Sequence, residues 1–402
     1  MAIDIRPPQE DELRAAMEAA ESAFGSTVDD ADWERERKAL PAARSLAAYD
    51  AGQPVGLAGA YEFELTIPGG QLPCAGVTWV GVLQSHRRRG ILRDFMRRQL
   101  EDVRNWGEPL AALWASESSI YGRFGYGLAV PALTMKADRG RFTLRDDRGS
   151  AGSVRLVTRD EAYELFRPVH ERVRATRAGM ISRSEHWWKE HRLPDPESWR
   201  RGASQKFYAV VEVDGEVEGY AMYRVKSEWE DGMPRGQVRV VESFTVSSAA
   251  ERELWRFLFS IDLTVTVQAY YLDPASSLFL NVRDPRALGL RLTDSLWLRL
   301  VDVEASLRAR SYGVAEPVVL EVGDKLCPWN AGRYRVGEGA GRTDDDADLS
   351  LDVADLASVY LGGFDVHELV HAGRVTELRE GGAERASLLF RTPLPPFCPE
   401  EF

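Results

Sequence analysis

Cysteine is scarce in this sequence of 402 residues, which contains three: Cys74, Cys327 and Cys398. They lie far apart and form no CxxC pair, which argues against a disulfide framework and indicates a reducing compartment. The N-terminal stretch MAIDIRPPQEDELRAAM lacks the apolar segment of a secretory signal. No stretch reaches the ~18–20 apolar residues that a membrane span requires. We therefore expect a cytoplasmic protein with no membrane partner.

A surplus of basic residues is also missing. Lys and Arg number 51 against 63 Asp and Glu, so the formal net charge at pH 7 is -12. An acidic chain disfavours nucleic acid as the main partner, and its field favours cationic small molecules or basic peptides. The 44% hydrophobic and 28% charged residues are ordinary for a globular protein. Because single cores stop growing near ~250–300 residues, the chain length predicts two or three domains.

Predicted helices and strands alternate in an order typical of a mixed α/β fold. Helices are predicted from Glu10 to Phe24 and from Asp29 onward, where an aspartate precedes the helical pattern. A third helix is predicted after Gly90, because apolar residues recur there about every 3.6 positions and Gly107 is a typical helix stop. These apolar residues are Leu92, Phe95, Met96, Leu100, Val103 and Trp106. Strands are predicted at Ser45–Asp50, Val55–Ile67, Cys74–Val82 and Leu110–Ala115.

The sequence divides into three parts in this interpretation. Residues 1–145 form a first domain, and the polar stretch RDDRGSAGS that starts at Arg145 is a linker. Residues 152–292 repeat the strand-then-helix order of the first domain and contain a hairpin at Asp214-Gly215, so they are interpreted as a degenerate second copy. Residues 293–402 form a third domain with the amphipathic stretch VDVEASLRARSY and the proline-rich tail TPLPPFCPEEF.

Three consecutive arginines precede the third predicted helix, in the stretch VTWVGVLQSHRRRGILR. A solvated helix face and a basic nucleic-acid patch are alternative interpretations, but the run is short and the protein is acidic. A helix N-terminus presents unpaired N–H groups and the positive end of the helix dipole. Gly90 allows a phosphate to approach the backbone, and Arg88 and Arg89 add charge. The pattern fits a pyrophosphate site that is neither a P-loop nor a GxGxxG turn.

The turn resembles the coenzyme A signature Q/R-x-x-G-x-G/A of the GCN5-related N-acetyltransferases, the GNAT superfamily. Here it reads RRRGIL, with Leu92 in place of the second small residue. Together with ASESSIYGRFGYG, Ala115–Gly127, it resembles the enhanced intracellular survival (Eis) family over roughly residues 76–127. The resemblance implies tandem GNAT-like domains followed by a sterol-carrier-like domain. It also implies transfer of the acetyl group of acetyl-CoA to primary amines, with no metal ion.

The resemblance also implies which residues hold acetyl-CoA. The main chain of Val80, Gly81 and Val82 would bind pantetheine and the thioester oxygen, and a glycine within a strand often marks a bulge or a close backbone approach. The alternative is that these residues form an ordinary core strand. The other implied contacts lie at the start of the helix and after the next strand: Arg88, Arg89, Gly90, Ile91, Leu92, Arg93, Ser116 and Glu117.

Acid and base candidates come from the same resemblance. Tyrosine is protonated at pH 7 and can donate to a leaving thiolate. The residues alone do not rank Tyr121 against Tyr126, and the resemblance selects Tyr121 as the general acid. It selects the terminal carboxylate of Phe402 as the base, although a free α-carboxyl has a pKa of only ~3.3–3.7 and proline-rich tails usually fray.

The implied acceptors are cationic amines, aminoglycoside-type polyamines and lysine side chains. Phe24 and Trp33 fall where the family has pocket aromatics, and Glu401 would enter the pocket with the terminus. An acidic residue that often follows the pocket phenylalanine is not evident, because the chain continues Gly25-Ser26-Thr27. The implied assembly is a homohexamer.

Two other functions remain open at this point. The stretch HELVH matches HExxH, in which His367 and His371 would bind zinc and Glu368 would act as the base of a metallopeptidase. No histidine follows, so an acid such as Glu377 would have to be the third ligand, and Gly373 would end the helix. The alternative is an amphipathic helix with two histidines. The third domain could also bind a lipid, although fold analogy is weak evidence for function.

Overall fold

A computed structural model of the chain describes residues 3–145 and 152–402. The predicted linker after Arg145 falls mostly on residues 146–151, outside the described residues. The chain forms two compact units, one comprising Met1–Val130, Ser295–Pro396 and Glu400–Phe402, the other Pro131–Asp294 and Phe397–Pro399. No helix of the described residues is long and apolar enough to cross a membrane. The three-part division of the sequence stays a prediction.

Residues 3–130 contain the elements that position the site. The predicted helix from Asp29 is confirmed, and the Asp29 side chain caps it by accepting a hydrogen bond from the Asp32 N–H at 2.7 Å. The predicted strands and the helix after Gly90 are confirmed as well. The elements are β1 (Asp4–Arg6), α1 (Leu13–Ser22), α2 (Asp30–Ala39), β2 (Ser45–Asp50), β3 (Gln53–Ile67), β4 (Gly70–Val82), α3 (Ile91–Asn105), β5 (Leu110–Trp114), α4 (Ser118–Tyr121) and β6 (Gly127–Leu128).

Residues 131–294 form a seven-stranded sheet of their own, with the strand order β15-β7-β14-β13-β10-β9-β8. Asp214 and Gly215 have φ values of 52° and 84°, which confirms the tight hairpin between β9 and β10. The elements are β7 (Pro131–Asp138), β8 (Gly152–Val157), α5 (Arg159–Arg174), β9 (Phe207–Val213), β10 (Glu216–Lys226), β11 (Trp229–Glu230), β12 (Met233–Pro234), β13 (Gly236–Thr245), α6 (Ser248–Ser260), β14 (Thr264–Leu272), α7 (Leu278–Asn281) and β15 (Arg291–Asp294).

The rest of the chain adds one strand to the first sheet and builds a smaller, five-stranded sheet. The first sheet has the order β1-β2-β3-β4-β5-β16-β6, and the smaller sheet has the order β19-β18-β17-β20-β21. The amphipathic stretch VDVEASLRARSY contains a helix. The elements are β16 (Leu296–Leu300), α8 (Val303–Ala309), β17 (Val318–Gly323), β18 (Gly332–Val336), β19 (Gly341–Arg342), β20 (Leu349–Asp352), α9 (Val353–Tyr360), α10 (Val366–His371), β21 (Val375–Glu377) and α11 (Gly382–Phe390).

A strand, a helix and a second, parallel strand occur once in each unit. In the first unit these elements are β4, α3 and β5, and in the second they are β13, α6 and β14. A helix that joins two parallel strands packs one of its sides against the sheet, and that side is apolar. This packing explains the apolar stripe of α3. Phe95, Met96, Leu100 and Val103 are buried as predicted, whereas Trp106 lies at the cap beyond the last helical turn and packs under the Arg44 guanidinium.

The proline-rich tail does not fray. Within the second unit, the Phe397 N–H donates to the Ala178 carbonyl at 2.9 Å, and the Phe397 ring packs against Phe244. Cys398 and Glu400 are also buried. The expectation of a frayed end is therefore wrong for this tail, because its aromatic and apolar side chains are buried and its backbone is hydrogen bonded.

Candidate active site

Strands β4 and β5 separate at one end of the first sheet. They pair in parallel only from Cys74–Leu110 to Gly76–Ala112, although β4 continues to Val82 and β5 to Trp114. Beyond Gly76, main-chain groups of β4 are therefore not bonded to β5. The separation opens a cleft at the carboxyl ends of two parallel strands, where open α/β sheets commonly bind ligands.

A bulge in β4 lies in the part of the strand that is not paired with β5. Its register with β3 shifts so that Ala58 of β3 faces two residues of β4, Trp79 and Val80. Trp79 has φ 54°, a left-handed conformation that is unfavourable for a bulky side chain and costs roughly 1–2 kcal/mol. Bulges next to active sites redirect side chains. Here the bulge turns the indole of Trp79 toward the cleft.

Two buried groups hold the indole. Trp79 Nε1 donates to Tyr61 Oη at 3.3 Å, and Tyr61 Oη donates to Glu36 Oε2 at 2.5 Å. Burial raises the pKa of the Glu36 carboxyl and raises the pKa of Tyr61 well above its ordinary value. Hydrogen bonds among groups removed from water fix orientation, so this chain of bonds offsets the backbone strain at Trp79.

The cleft contains a cavity of about 250 Å³. Six of its lining residues lie on or just after the two separated strands, and the others come from the end of α1 and the turn after it, from α4 and from the chain terminus. The lining residues are Glu21, Phe24, Val77, Thr78, Trp79, Val80, Trp114, Ser116, Tyr121 and Phe402. The cavity brings together Phe24, Val80, Ser116, Tyr121 and Phe402, all of which were singled out in the sequence.

The two tyrosines of IYGRFGYG differ in environment. Tyr121 lines the cavity, and burial together with the Glu117 carboxylate raises its pKa to about 12. Tyr126 is completely buried, its ring packs edge-on against Tyr121 with centroids 5.9 Å apart, and burial raises its pKa as well. The Tyr126 hydroxyl has no hydrogen-bond partner in the described part of the chain. Only Tyr121 is exposed to a ligand in the cavity, and it is protonated at neutral pH.

The chain terminus reaches the cavity through an aromatic contact. The Phe402 ring packs against Phe63 with centroids 5.1 Å apart. Gly76 makes room for both rings, because a Cβ there would lie 2.3 Å from the Phe63 ring and 3.3 Å from the Phe402 ring. The terminal residue is thus held beside the point where β4 and β5 separate.

The other residues predicted to contact the acceptor lie elsewhere. Trp33, like Trp79, packs against the small core that includes the buried side of α1, but it is not among the residues that line the cavity. Glu401 is exposed and does not line it either. Glu21 does line it, and burial raises the pKa of its carboxyl, while the Ser26 hydroxyl partly opposes that shift. Glu21 precedes Phe24 by three positions, and the Phe24 N–H donates to the Glu21 carbonyl at 2.9 Å in the turn that follows α1. This spacing could have identified Glu21 in the sequence.

Gly81 does not open the strand toward the cavity. A Cβ at Gly81 would lie 2.6 Å from the Ala20 carbonyl oxygen, so the glycine allows α1 to pack directly on β4. This contact brings the end of α1, with Glu21, to the cavity. Val80 lines the cavity, whereas Val82 is only partly buried against the core beneath α3.

The arginine turn has the geometry expected of an anion site. Gly90 is the N-cap of α3 with φ 86°, and Arg88 also has a positive φ, 64°. Arg88 and Arg89 are exposed, and Arg89 lies 3.6 Å from Asp50. Ile91 and Leu92 pack inward, Arg93 projects outward, and Glu117 is an exposed residue before α4. The free N–H groups of a fifteen-residue helix and three exposed guanidinium groups thus converge on one turn.

The HExxH motif lies in α10, whose six residues end at His371. Glu368 is occupied at the helix start, where it accepts a hydrogen bond from the Asp365 N–H at 2.9 Å in a capping box. In residues 3–145 and 152–402, no three or more His, Cys, Asp or Glu side chains are grouped to hold a metal ion. The zinc-peptidase alternative therefore has no support from the surroundings of the motif.

Three parts of the chain match known domain families. Residues 4–129 and residues 179–300 each match a family described as an acetyltransferase (GNAT) domain. Residues 303–399 match a family described as a sterol carrier protein domain. The mixed α/β fold with two GNAT domains and a sterol-carrier-like domain is confirmed.

Whole-chain relatives are similar along their full length. An uncharacterized N-acetyltransferase of Streptomyces avermitilis is 42% identical over 412 residues, covering 100% of both chains. The N-acetyltransferase Eis of Mycobacterium tuberculosis is 32% identical over 394 residues, covering 93% of each. The crystal structure of Eis1 from Mycobacterium abscessus superposes with a TM-score of 0.86 at 33% identity and covers 100% of both chains.

Proposed function

Because the chain belongs to the Eis family of GCN5-related N-acetyltransferases, we propose that its first unit acetylates primary amines of polycationic acceptors, by direct attack of the amine on the thioester of acetyl-CoA. The proposed acceptors are aminoglycoside-type polyamines and lysine side chains. The observation that carries the proposal is the shared cavity, in which Tyr121 and Phe402 line the same 250 Å³ space between two separated strands. Such a transfer needs a held thioester, a proton donor and a proton acceptor.

The cleft and the arginine turn fit acetyl-CoA. The cosubstrate supplies an activated acetyl group as a thioester. The main chain of β4 from Val77 to Val82, which β5 leaves unpaired, would bind the pantetheine arm as a neighbouring strand does. The start of α3, with Gly90, Arg88 and Arg89, would bind the pyrophosphate. Ser116 lies on the opposite wall of the cavity.

Tyr121 is the proposed general acid. Its pKa of about 12 keeps the hydroxyl protonated at neutral pH, so that it can give its proton to a departing thiolate. The Phe402 carboxylate is the proposed base, acting on the incoming ammonium directly or through a water molecule. Since the hydrophobic contact with Phe63 holds the ring of Phe402, the position of the carboxylate depends on the chain ending at that residue.

Glu21 and Phe24 form the proposed acceptor side, with Trp33 and Glu401 as more distant contributors. The carboxylate of Glu21 supplies the negative charge that an ammonium needs, and the exposed ring of Phe24 offers a face for cation–π contact. This arrangement replaces the acid that the sequence lacks directly after Phe24.

Replacing Glu21 with glutamine is expected to raise KM for a polycationic acceptor about tenfold, with a smaller change for acetyl-CoA. Glutamine keeps the shape but loses the charge. Because burial raises the pKa of Glu21, KM of the wild type should rise as the pH falls through that raised value, and the variant should lose this dependence. Steady-state kinetics across pH measures both effects. Glu18→Gln, on an exposed part of the same helix, is the control, and equal KM values in wild type and Glu21→Gln would contradict the assignment.

Replacing Arg88 with alanine is expected to weaken acetyl-CoA binding about 3- to 10-fold, and the difference should shrink at high salt because the contact is electrostatic and exposed. Isothermal titration at two ionic strengths measures this. Arg97→Ala is the control, because Arg97 is exposed on the same helix but lies two turns beyond the N-terminus. An equal loss of acetyl-CoA affinity in Arg88→Ala and Arg97→Ala would mean that the turn before α3 has no special role in binding.

The proposed activity is tested by following thiol release from acetyl-CoA with a panel of acceptors. We expect saturable release with a polyamine aminoglycoside and with a lysine-containing peptide, and none when the amines of the same compounds are already acetylated. Release at one rate with every acceptor, or with none, would contradict amine transfer.

We propose a homohexamer and, for the sterol-carrier-like domain, the role of delivering the C-terminus rather than of binding a lipid. Three large apolar side chains of the second unit, Phe279, Leu280 and Leu292, are exposed, which supports an interface in an assembly. The burial of the tail supports the delivery role. Light scattering measures the assembly, and a mass of one or two chains would contradict it.

A further inference from the structure

The second unit contains a cavity of its own, of about 390 Å³. It lies at the end of β8 and the start of α5, beside the segment that leads into β9. Its lining includes Leu156, Thr158, Asp195, Arg200, Gln205 and Lys206. Neither the predicted acid and base nor the arginine turn belongs to it.

Lys206 is the unusual residue of this cavity. Its side chain is almost entirely removed from water, with 7% of the residue exposed. The Nζ atom donates to two main-chain carbonyl oxygens, of Arg192 at 2.7 Å and of Pro194 at 2.8 Å. An ammonium has three N–H donors and a neutral amine has two. Two carbonyl acceptors satisfy both N–H donors of a neutral amine, and the Trp199 ring centroid lies 5.7 Å from Nζ.

The charges around Lys206 oppose its protonation. Arg192 and Arg224 lie near it, and burial together with these two cations lowers the pKa of Lys206 to about 7. The nearby carboxylates of Asp195 and Glu242 raise the pKa of Lys206 only weakly, because each is already paired with arginine side chains. Asp195 accepts hydrogen bonds from Arg224 and from the Lys206 main-chain N–H, and it forms an ion pair with Arg200 at 3.3 Å.

The other charged and polar groups around Lys206 are bonded to partners other than its amine. Glu242, the second carboxylate that acts on Lys206, is paired with Arg183 at 2.5 Å and also with Arg192. On the α5 side of the cavity, Arg159 is exposed and donates to the Lys189 carbonyl. The Tyr208 hydroxyl donates to the Leu193 carbonyl at 2.7 Å. No unpaired carboxylate of the described residues faces the amine, and buried lysines of this kind are reactive nucleophiles.

We propose that Lys206 is an acylation site, a nucleophilic amine in the wall of the second unit's cavity that accepts an acyl group from a small activated donor, a thioester or an anhydride. The nitrogen lone pair forms a bond to the acyl carbon, the bond from that carbon to sulfur or oxygen breaks, and the leaving group departs as thiolate or carboxylate. The nitrogen gives one proton to solvent. The product amide has one N–H, so one of the two carbonyls loses its donor and the segment between Arg192 and Asp195 loosens.

The test is competitive labelling of the full-length protein with a trace of acetic anhydride between about pH 6 and about pH 9, with each lysine quantified by peptide mass spectrometry. Lys189 is the reference, since it is exposed and its pairing with Glu185 raises its pKa. We expect Lys206 to label about tenfold or more faster than Lys189 at neutral pH, because an ordinary lysine is less than ~0.1% neutral there. The rate should level off above a midpoint near 7.

Two variants separate acylation in the cavity from labelling of an unfolded form. Lys206→Arg removes the acyl acceptor and identifies the labelled peptide. Leu156→Trp narrows the cavity at an exposed position, so it should slow labelling of Lys206 and leave Lys189 unchanged. Slower labelling of Lys206 than of Lys189 at every pH, or equal labelling of Lys206 in Leu156→Trp and wild type, would overturn the proposal. Neither result bears on the transferase activity of the first unit.

Discussion

Adding one alanine after Phe402 is expected to lower the turnover number of acetyl transfer by about 100-fold or more, and to leave the dissociation constant of acetyl-CoA within about twofold. The extra residue removes the carboxylate from Phe402 and moves it onto a residue with no place beside Phe63. The contact between the two rings, with centroids 5.1 Å apart, fixes Phe402 at the separation of β4 and β5. Stopped-flow kinetics and calorimetric titration measure the two quantities separately.

The matched control is Glu401→Gln, which changes the neighbouring charge but keeps the terminus in place. Glu401 is exposed and does not line the cavity, so its loss should change turnover about twofold or less, and its proposed contribution to acceptor binding should appear only in KM. If the extended chain keeps the turnover of the wild type, the terminal carboxylate is not the base. If the extended chain and Glu401→Gln lose the same turnover, the negative charge near the terminus matters and the position of the terminal carboxylate does not.

Replacing Tyr121 with phenylalanine is expected to lower the turnover number by about 10²- to 10⁴-fold, the range that a positioned general acid contributes. Because burial raises the pKa of Tyr121 to about 12, the hydroxyl is protonated at every working pH. The wild type should therefore show no loss of rate from this group up to about pH 10, the ordinary tyrosine pKa. A steep decline of rate below that pH would point to a different acid.

Tyr126→Phe is the matched control for Tyr121→Phe. Tyr121 ends α4 and Tyr126 follows five positions later, with the ring centroids 5.9 Å apart, but the Tyr126 hydroxyl is buried and has no hydrogen-bond partner in the described residues. Removing such a hydroxyl should leave turnover nearly unchanged and is expected to be neutral or slightly stabilising in thermal denaturation. Equal losses of turnover in both variants would mean that the segment containing the two tyrosines, rather than one hydroxyl, is required.

Much of the fold could be predicted from local pattern. The strand Ser45–Asp50 and the hairpin at Asp214-Gly215 have the predicted positions, because alternation and turn residues act over a few neighbouring positions. The turn before α3, at which we propose an anion site, was also predictable, because Gly90 and the arginines are adjacent in sequence. The conformation and the charge of this turn do not depend on residues that are distant in sequence.

The cavity could not be predicted in the same way. Its walls depend on contacts between residues far apart in sequence, such as Gly81 with Ala20 and Phe402 with Phe63. The bulge at Trp79 depends on a register shift against β3, which sequence periodicity does not encode. The ranking of the two tyrosines required the burial of Tyr126. The roles assigned to Tyr121 and to the terminus came from family resemblance.

The most direct test of the central claim is the stoichiometry of the reaction. The wild-type protein is incubated with acetyl-CoA and a polyamine aminoglycoside, free thiol is counted, and the acetylated amine is quantified by mass spectrometry. The account predicts one acetyl group on amine nitrogen for every thiol released. Thiol release without acetylated amine would make the protein a thioesterase and would contradict the account.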